Sequence, residues 1–400
     1  MKIIYIHQYF HTPNDPGGTR SYWISKELVA RGHQVIMITS TNKNHPDEEV
    51  VNIEGIEVHY LKNDYNNFMS KFEKVKSFVR FVRKSIKEAK KVDDADILFA
   101  TSTPLTVGAV ALSLKRRKKL KYVFEVRDLW PEFPIQIGAI RNPLVIKLLR
   151  AFEKNIYKNA EHIVALSPGM KDGVVSTGIP EGKVSMVPNM SKPEEFFPHE
   201  PDKSIASKFK INTSDFNIIH FGSMGVANGL DYIIETAKLC EAQGLSDVKF
   251  IFMGDGATLP LLKEKVEKYG LSNVKFLGNH KMSVVIEVVN LCDLSVTSFK
   301  NLPILATNSP NKLFDSLSAG KPIVVNSPGW TKDLVENENC GFYVNPDNPQ
   351  DFVDKIKLYK DNKQKLAEWG TNSRKLSETK FNRSLLAKQV ADIISGNSDN

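Results

Sequence analysis

The segment SPNKLFD, from Ser309 to Asp315, places a lysine and a carboxylate on the first turns of a predicted helix. Ser309 suits the N-cap, Pro310 suits the first helical position, and Gly320 suits a left-handed C-terminus. These preferences explain the helix but not Lys312. A helix start carries backbone N–H groups without partners and a partial positive charge, to which a lysine adds a full charge. The segment therefore predicts an anion site.

Three glycine-bearing loops follow predicted strands: NDPGGTRSY with Gly17 and Gly18, HFGSMGVANGLDYI with Gly222, and FMGDGATL with Gly254. Glycine lets the backbone approach a ligand closely, and the first two loops precede predicted helices whose starts can bind a phosphate. Ordinary turns also use paired glycines, so these loops alone do not define a site. No GxGxxG segment is present, which argues against a dehydrogenase.

The segment EVRDLWPEF places Arg127, Asp128 and Glu132 just after a strand that we predict to be central. Charged residues at such a strand end are typical of a functional site, and the alternative is an aspartate that only caps the next turn. The D-x-D pattern at 93–96 precedes a strand, at the wrong end of the sheet for a ligand, so we interpret it as a solvated turn.

The chain has 400 residues, of which 41% are apolar and 25% are charged, and this composition is typical of a soluble globular protein. This length predicts two domains. Cys240, Cys292 and Cys340 are far apart and form no CxxC pair, which predicts neither disulfides nor a zinc site. We expect no metal and no cofactor. The apolar start of the chain is too short for a signal segment, and no run is long enough to span a membrane, so we expect a cytoplasmic protein.

The net charge of +8 is concentrated in residues 1–200, which hold 30 of the 54 Lys and Arg residues against 23 of the 46 acids. Between Phe68 and Lys91, apolar residues recur every three or four positions and include Phe72 and Val79, with cations such as Arg83 between them. Such a helix either packs its apolar face on its own sheet or lies in a membrane interface.

A second basic cluster, KRRKKLK, contains Arg116 and Arg117 and supports the membrane interpretation. Nucleic acid is another anionic partner for such clusters, but they contain no recognisable nucleic-acid motif, and we expect none to bind.

Strand and helix patterns alternate along the chain, which predicts an α/β protein with doubly wound, Rossmann-like parallel sheets. The alternation stops in the Pro-rich and charged segment 191–204, which we interpret as a linker. We predict an N-terminal domain at 1–190, a C-terminal domain at 205–375, and a C-terminal helix in 376–400 that packs back toward the first domain. Ligands bind such sheets outside the carboxyl ends of the strands, here on two domains facing a cleft.

The early Gly-Gly-x-Arg, the connector VSMVPN, the loop FMGDG, the strand end VKFLG and the segment LFDSLSAGKPIVVNSPG together resemble the GT-B glycosyltransferases of family 4. This family consists of retaining nucleotide-sugar transferases, and the resemblance covers essentially the whole chain. The segments DLWPE and SPNKLFD resemble those of the WbuB-type N-acetyl-L-fucosaminyl transferases.

The resemblance implies roles for several residues of the second domain. Asp315 stands at the second acid of the family's E-x7-E motif and would bind the ribose hydroxyls, whereas Thr307 stands where the first acid is expected. The family's usual Arg and Lys fall at Ser223 or Met224 and at Asn228, which leaves Lys312 as the candidate cation for the diphosphate. The full nucleotide-sugar set also includes Gly17, Gly18, Gly222, Gly254, Asn311 and Leu313.

In the first domain, the resemblance implies an acceptor site without the family's usual histidine. Asp128 would orient or deprotonate the acceptor hydroxyl, and Arg127 would bind acceptor phosphate or hold Asp128. Arg20 and Glu132 are the further candidates for acceptor contacts.

The implied activity is metal-independent transfer of a sugar, such as an N-acetylated 6-deoxyhexosamine, from UDP to a polyprenyl-diphosphate-linked saccharide. The pathway would be O-antigen or capsule assembly, with the protein held peripherally on the inner face of the cell membrane. Two alternatives stay open. One is a UDP-sugar 2-epimerase of the same fold, and the other is a non-enzymatic membrane-associated scaffold.

Overall fold

The computed structural model describes residues 1–13, 15, 17–41, 49–65 and 69–396, and it divides into two units. The first unit comprises Met1–Pro188 together with the chain from Arg383 onward, and the second comprises Asn189–Asn382. The segment 191–204, which the sequence predicts as a linker, lies within the second unit. Residues 376–382 also belong to that unit.

Among the described residues, the first unit forms one eight-stranded sheet flanked by helices. The strands are β1 (Lys2–Ile6), β2 (Gln34–Thr41), β3 (Glu49–Ile53), β4 (Ile56–Lys62), β5 (Ile97–Thr101), β6 (Lys121–Val126), β7 (His162–Ala165) and β8 (Val184–Met186). Their order is β3-β4-β2-β1-β5-β6-β7-β8, and all neighbours are parallel except β3 and β4. The helices are α1 (Arg20–Ala30), α2 (Lys71–Lys91), α3 (Val107–Lys118), α4 (Glu132–Gln136), α5 (Pro143–Asn159) and α6 (Pro168–Ser176).

The second unit contains a parallel sheet of six strands in the described chain. They are β9 (Phe216–Phe221), β10 (Val248–Met253), β11 (Val274–Gly278), β12 (Leu294–Thr297), β13 (Ile323–Val325) and β14 (Gly341–Tyr343), in the order β11-β10-β9-β12-β13-β14. The helices are α7 (Lys203–Phe209), α8 (Asp231–Ala242), α9 (Leu259–Tyr269), α10 (Met282–Asn290), α11 (Asn311–Ser318), α12 (Trp330–Asn337), α13 (Pro349–Tyr359) and α14 (Lys363–Glu378).

The prediction of two doubly wound parallel-sheet domains is confirmed. Helices cover both faces of each sheet, so the central strands are mostly apolar and are buried along most of their length. In β1, the side chains of Ile3, Ile4, Tyr5 and Ile6 are fully buried. In β9, every residue is buried, including the polar Asn217 and His220.

The last helix, α15 (Arg383–Ser395), belongs to the first unit and packs on α1. Arg31, the residue that follows α1, donates to the Asp392 carboxylate at 2.6 Å, and the Arg383 guanidinium lies 3.7 Å from the centre of the Trp23 ring. Cation–π contact and charge pairing therefore add to the apolar packing of the C-terminal helix.

Three helices of the first unit lie side by side, because α3 contacts both α2 and α5. The first turns of α2 follow the carboxyl end of β4, and the last residue of α5 is followed closely by the amino end of β7. Since α5 has 17 residues and rises about 1.5 Å per residue, it crosses the sheet. The N-terminal halves of α2 and α5 therefore lie toward the carboxyl edge of the strands.

Candidate functional site

The glycine loops after β9 and β10 touch each other through their backbones. A Cβ atom on Gly254 would lie 2.0 Å from the carbonyl oxygen of Gly222, and one on Gly256 would lie 2.5 Å from the backbone of Met224. Gly222 and Gly254 also have positive φ angles, of 102° and 135°. Glycine is required at these strand ends because the two loops pack together without side chains between them.

Helix α11 begins beside these loops, and its N-terminus differs in detail from the prediction. Pro310 occupies the N-cap position without a side-chain cap, and the Ser309 hydroxyl instead accepts a hydrogen bond from the Asn189 N–H at 3.2 Å. The predicted capping role of Ser309 is therefore wrong, because tertiary contact with Asn189 takes its oxygen. At the other end, Gly320 has φ of +60° and closes the helix as predicted.

Lys312 extends from the first turn of α11 toward the end of β9. Its Nζ lies 3.0 Å from Nε2 of His220, and its Cε lies 3.9 Å from where a Cβ of Gly222 would be. Burial lowers the pKa of the Lys312 ammonium to about 7. Among the described residues, no carboxylate lies within ion-pair distance of this lysine. The first turn of α11 thus holds a cation whose charge no carboxylate of the described chain neutralises.

Asp315 is one turn further along α11, and only 7% of it is exposed. Its Oδ1 lies 3.3 Å from Nζ of Lys192, itself a buried residue of the second unit. Burial raises the pKa of the Asp315 carboxyl, and the Lys192 ammonium opposes that shift. Lys192 was missed by sequence reasoning because it falls within the segment predicted as a linker.

The other predicted nucleotide-sugar residues of this unit have varied surroundings. The Thr307 hydroxyl donates to the Ile304 carbonyl at 2.7 Å, so its donor hydrogen serves the turn before α11. The Asn228 amide donates to the Ser223 carbonyl at 2.7 Å and fixes the glycine loop. The Leu313 side chain is fully buried in the core, so it offers a ligand only its backbone. Asn311, at the first position of α11, is half-buried.

At the carboxyl edge of the first unit, His7 follows β1 and contacts two other elements. Its Nδ1 lies 2.9 Å from the Ser21 hydroxyl, and its Nε2 lies 3.5 Å from the Arg127 guanidinium. Burial and then the Arg127 charge hold the pKa of His7 well below its usual value, so the ring is neutral. The sequence signal was present, since a histidine ends an otherwise apolar strand.

The Gly17 backbone lies against His11, whose ring would be 2.8 Å from a Cβ on this glycine, and φ of Gly17 is +134°. Gly18 is half-buried just before α1. His7 and His11 have the spacing of a metal-binding pair. However, no group of three or more His, Cys, Asp or Glu residues able to hold a metal occurs in the chain that the structure describes.

Asp128 accepts a hydrogen bond from the Thr103 hydroxyl at 2.9 Å, and burial raises the pKa of its carboxyl. Thr103 has φ of +82°, which a β-branched residue adopts only under constraint from its surroundings. The backbone N–H of Arg127 donates to the Ser102 hydroxyl at 2.9 Å. Residues after β5 thus position both charged residues after β6.

Arg20 is not available to an acceptor, contrary to the prediction. It is 3% exposed, its Nε donates to Glu125 at 2.8 Å, and its other nitrogens donate to the carbonyls of Val187 and Pro188. Three of the five N–H donors of this guanidinium bond groups of the first unit, and its burial keeps it from an acceptor, so its role is structural. It ties α1 to β6 and to the chain after β8.

Glu132 forms an ion pair with Arg150 at 2.8 Å on the wall of a small cavity behind Leu129. The cavity is also lined by Glu153, whose carboxylate accepts a hydrogen bond from the Tyr157 hydroxyl at 3.0 Å. Burial raises the pKa of Glu153 to about 7. The Glu132 carboxylate, which the sequence predicts to contact the acceptor, is therefore paired with Arg150 of α5.

The apolar stripe of α2 faces outward over its first half. Phe72 is 78% exposed, Val75 57% and Val79 42%, and Arg83 is exposed beside them. Phe68 lies outside the described residues. Of the two interpretations of this helix, packing the stripe on the sheet is wrong for its N-terminal half. The buried face of α2 instead contains Phe81 and Ala89.

Helix α5, which sequence reasoning overlooked, carries a second exposed apolar group. Leu144 is 64% exposed, Leu148 61% and Val145 42%, with exposed Lys147 between them. By contrast, Arg116 and Arg117 end α3 near the amino edge of the sheet, since β6 begins at Lys121. They are therefore at the opposite edge from the exposed apolar residues. None of the helices described is both long enough and apolar enough to cross a membrane.

Comparison with known proteins agrees with a fold of two parallel-sheet units. Residues 17–195 match glycosyltransferase family 4, and residues 202–376 match the group 1 glycosyl transferases. Over 99% of both chains, the fold is similar to Anabaena Alr3699/HepE, solved in complex with UDP and glucose, with a TM-score of 0.73 and 18% identity. The chain therefore belongs to the GT-B glycosyltransferases of the family 4 type.

Curated relatives match a smaller part of the chain. The chain is 23% identical to the alpha-galactosylglucosyldiacylglycerol synthase of Streptococcus pneumoniae, over 50% of this chain and 53% of that protein. It is also 23% identical to the putative colanic acid biosynthesis glycosyl transferase WcaI of Escherichia coli, over 49% of this chain and 47% of that protein. The matched region spans about half of these relatives' length.

Proposed function

We propose that this chain is a retaining glycosyltransferase that takes a sugar from a nucleoside diphosphate, UDP, through its second unit. The observation that carries the proposal is the Lys312 ammonium, which lies at a helix start beside the Gly222 loop without a carboxylate partner in the described chain. A half-buried cation without a counter-ion among the described residues favours an anionic ligand, and the backbone N–H groups of a helix start favour phosphate.

Asp315 would accept hydrogen bonds from the ribose hydroxyls, because a carboxylate offers two acceptor oxygens with the spacing of a diol. Lys192, 3.3 Å away, favours the ionised form of this acid and so opposes burial, which raises the pKa of its carboxyl. The loop that Asn228 fixes, with Gly222 and Ser223, and the start of α11 at Asn311 would line the diphosphate. The UDP complex of the structural neighbour supports the choice of nucleotide.

The first unit would supply the acceptor side. Asp128 is the candidate to orient or deprotonate the acceptor hydroxyl, since it is held by Thr103 and its raised pKa suits proton transfer. Arg127, backed by neutral His7, is the candidate for an acceptor phosphate. The residues proposed for these roles, with their partners His7 and Thr103, lie at the carboxyl ends of β1, β5 and β6.

In the proposed reaction, the bond from the sugar's anomeric carbon to the diphosphate oxygen breaks, and a bond to the acceptor oxygen forms on the same face. The acceptor proton passes to Asp128 or to the departing phosphate. Negative charge develops on the diphosphate, and Lys312 with the α11 start would offset it in the role that a metal has elsewhere.

The substrate class that we propose is an N-acetylated 6-deoxyhexosamine, such as N-acetylfucosamine, transferred to a polyprenyl-diphosphate-linked saccharide. The SPNKLFD and DLWPE segments support this donor. The names of two relatives, which describe a glycosyl diacylglycerol product and colanic acid synthesis, support a lipid-linked acceptor and surface polysaccharide such as O-antigen or capsule.

The exposed apolar residues of α2 and α5 support a peripheral site on the cytoplasmic face of the membrane. Phe72, Val79, Leu144 and Leu148 lie toward the carboxyl edge of the sheet, where Asp128 also lies. Apolar side chains flanked by cations bind anionic lipid interfaces. The cluster with Arg116 and Arg117 is not part of this proposed surface, because it lies at the other edge.

A screen of UDP-sugars with a polyprenyl-diphosphate saccharide, followed by mass spectrometry, tests the function. We expect one UDP-sugar to give a product heavier by one sugar residue, with UDP released only when the acceptor is present. Release of UDP without acceptor would favour the 2-epimerase alternative. Calorimetry with UDP provides the second test, because Asp315→Ala should abolish binding. A wild-type protein that does not bind UDP would favour the scaffold alternative.

A further inference from the structure

His220 is a buried polar residue in the centre of an apolar sheet. It is the fifth residue of β9, only 1% of it is exposed, and its ring packs near that of Phe252. A buried imidazole is costly unless its nitrogens have partners, so its position needs a reason. Its Nε2 faces Lys312 of α11, whose Nζ is 3.0 Å away.

Given the proposed diphosphate site, we propose that His220 is a positioning residue for Lys312, holding its ammonium against the Gly222 loop where the diphosphate binds. Lysine has four rotatable bonds, and in a loosely held state it would spread its charge over many positions. The hydrogen bond from Nζ to the imidazole selects one of these positions. The same rotamer brings Cε to 3.9 Å from the point where a Cβ on Gly222 would lie.

A neutral partner has an advantage over a carboxylate at this position. An aspartate or glutamate in place of His220 would hold Lys312 but cancel its charge, whereas an imidazole accepts the hydrogen bond and leaves the charge available. Burial, and then the ammonium itself, keep the pKa of His220 well below its usual value, so the ring stays neutral. The nearest acid on α11, Asp315, is paired with Lys192.

If His220 positions Lys312, it acts on the diphosphate only through that lysine. We would measure UDP binding by calorimetry for His220→Leu, Lys312→Met and the double variant. We expect His220→Leu to weaken binding about tenfold, the size of one charge-assisted hydrogen bond. In the Lys312→Met background, the same change should have no further effect. His220→Gln, which keeps an acceptor oxygen, should bind within about threefold of wild type.

The matched control is His199→Leu, because His199 belongs to the same unit and bonds Glu287 instead of Lys312. Thermal unfolding without UDP checks that each variant folds. If His220→Leu fails to fold, His220→Asn serves in its place, because its shorter side chain is polar but does not reach Nζ. The inference would be overturned if His220→Leu lowered UDP affinity equally in the wild-type and Lys312→Met backgrounds. An unchanged UDP affinity in His220→Leu would also overturn it. Wild-type protein that does not bind UDP would instead overturn the proposed function.

Discussion

Lys192 and Asp315 form a buried ion pair, with 3.3 Å between the ammonium nitrogen and Oδ1. The pair joins the chain that follows β8 to the helix whose start we assign to the diphosphate. Because both residues are buried, each is the main source of charge compensation for the other. Removing one of them leaves an uncompensated buried group.

We therefore expect Lys192→Met to destabilise the protein in a pH-dependent manner. Burial raises the pKa of Asp315 above its unfolded value, and loss of Lys192 will raise it further. A carboxyl with a raised folded pKa stabilises the folded state at low pH and loses that contribution as pH rises through the folded pKa. The loss should be roughly 1–3 kcal/mol at pH 8 and smaller at pH 5.

Urea unfolding at both pH values measures this change. Lys263→Met is the control, since Lys263 is exposed on α9. A loss of the same size at pH 5 and pH 8 would show that the pair does not act through ionisation of Asp315.

The affinity for UDP should fall as pH rises above 7. The free protein loses the Lys312 proton near pH 7, whereas bound diphosphate favours the charged form and raises its pKa. The affinity for UDP should therefore be highest below pH 7, where Lys312 is protonated, and should fall by up to about tenfold per pH unit above it. Calorimetry between pH 7 and 9 measures the slope. Lys312→Arg should flatten it, because arginine stays charged.

Substitution of the exposed apolar residues should release the protein from anionic vesicles. Leu144→Ser with Leu148→Ser removes about six carbons that the lipid interface would bury, and Phe72→Ser with Val79→Ser removes a similar number. Each pair should therefore lower partitioning onto vesicles at least tenfold. Co-sedimentation with phosphatidylglycerol vesicles measures the change. Leu261→Ser with Leu358→Ser, two exposed leucines of the second unit, provides the control. Unchanged partitioning of both test pairs would contradict the proposed surface.

Asp128→Asn should lower kcat at least about a hundredfold, the usual contribution of a general base, while UDP affinity stays within twofold of wild type. Thr103→Val keeps the β-branched shape and loses only the hydroxyl that bonds Asp128, so its kcat should fall less, by about tenfold. Steady-state kinetics with the lipid-linked acceptor, with UDP calorimetry alongside, checks both values. An active Asp128→Asn enzyme would remove this residue from the chemistry.

Glu153→Gln should stabilise the first unit at high pH. The folded pKa of Glu153 is raised to about 7, so burial of its charged form costs stability as pH rises through 7 and costs little at pH 5. Glutamine can still accept the Tyr157 hydrogen bond without this cost. The gain in melting temperature should be clear at pH 8 and close to zero at pH 5. Differential scanning calorimetry at both pH values tests it.

Much of the fold follows from local sequence patterns. The predicted alternation of strands and helices is present in both units, because it depends on the local periodicity of apolar residues. The start of α11 was predicted within one residue, but its cap was not, because the Asn189 that takes the Ser309 hydroxyl is 120 positions away in the chain. Arg20 was misassigned for the same reason, since its acceptors lie on β6 and after β8.

The sequence by itself determined the strand and helix order, the family resemblance, and the choice of Lys312 and Asp315. These depend on residue types and spacings that are local. Only the tertiary structure decided which groups contact these charged side chains. Lys192 pairs with Asp315, and the neutral His220 bonds Lys312, both from distant segments. It also decided that the apolar stripe of α2 faces outward, since a periodic pattern shows that a helix has an apolar face but not what covers that face.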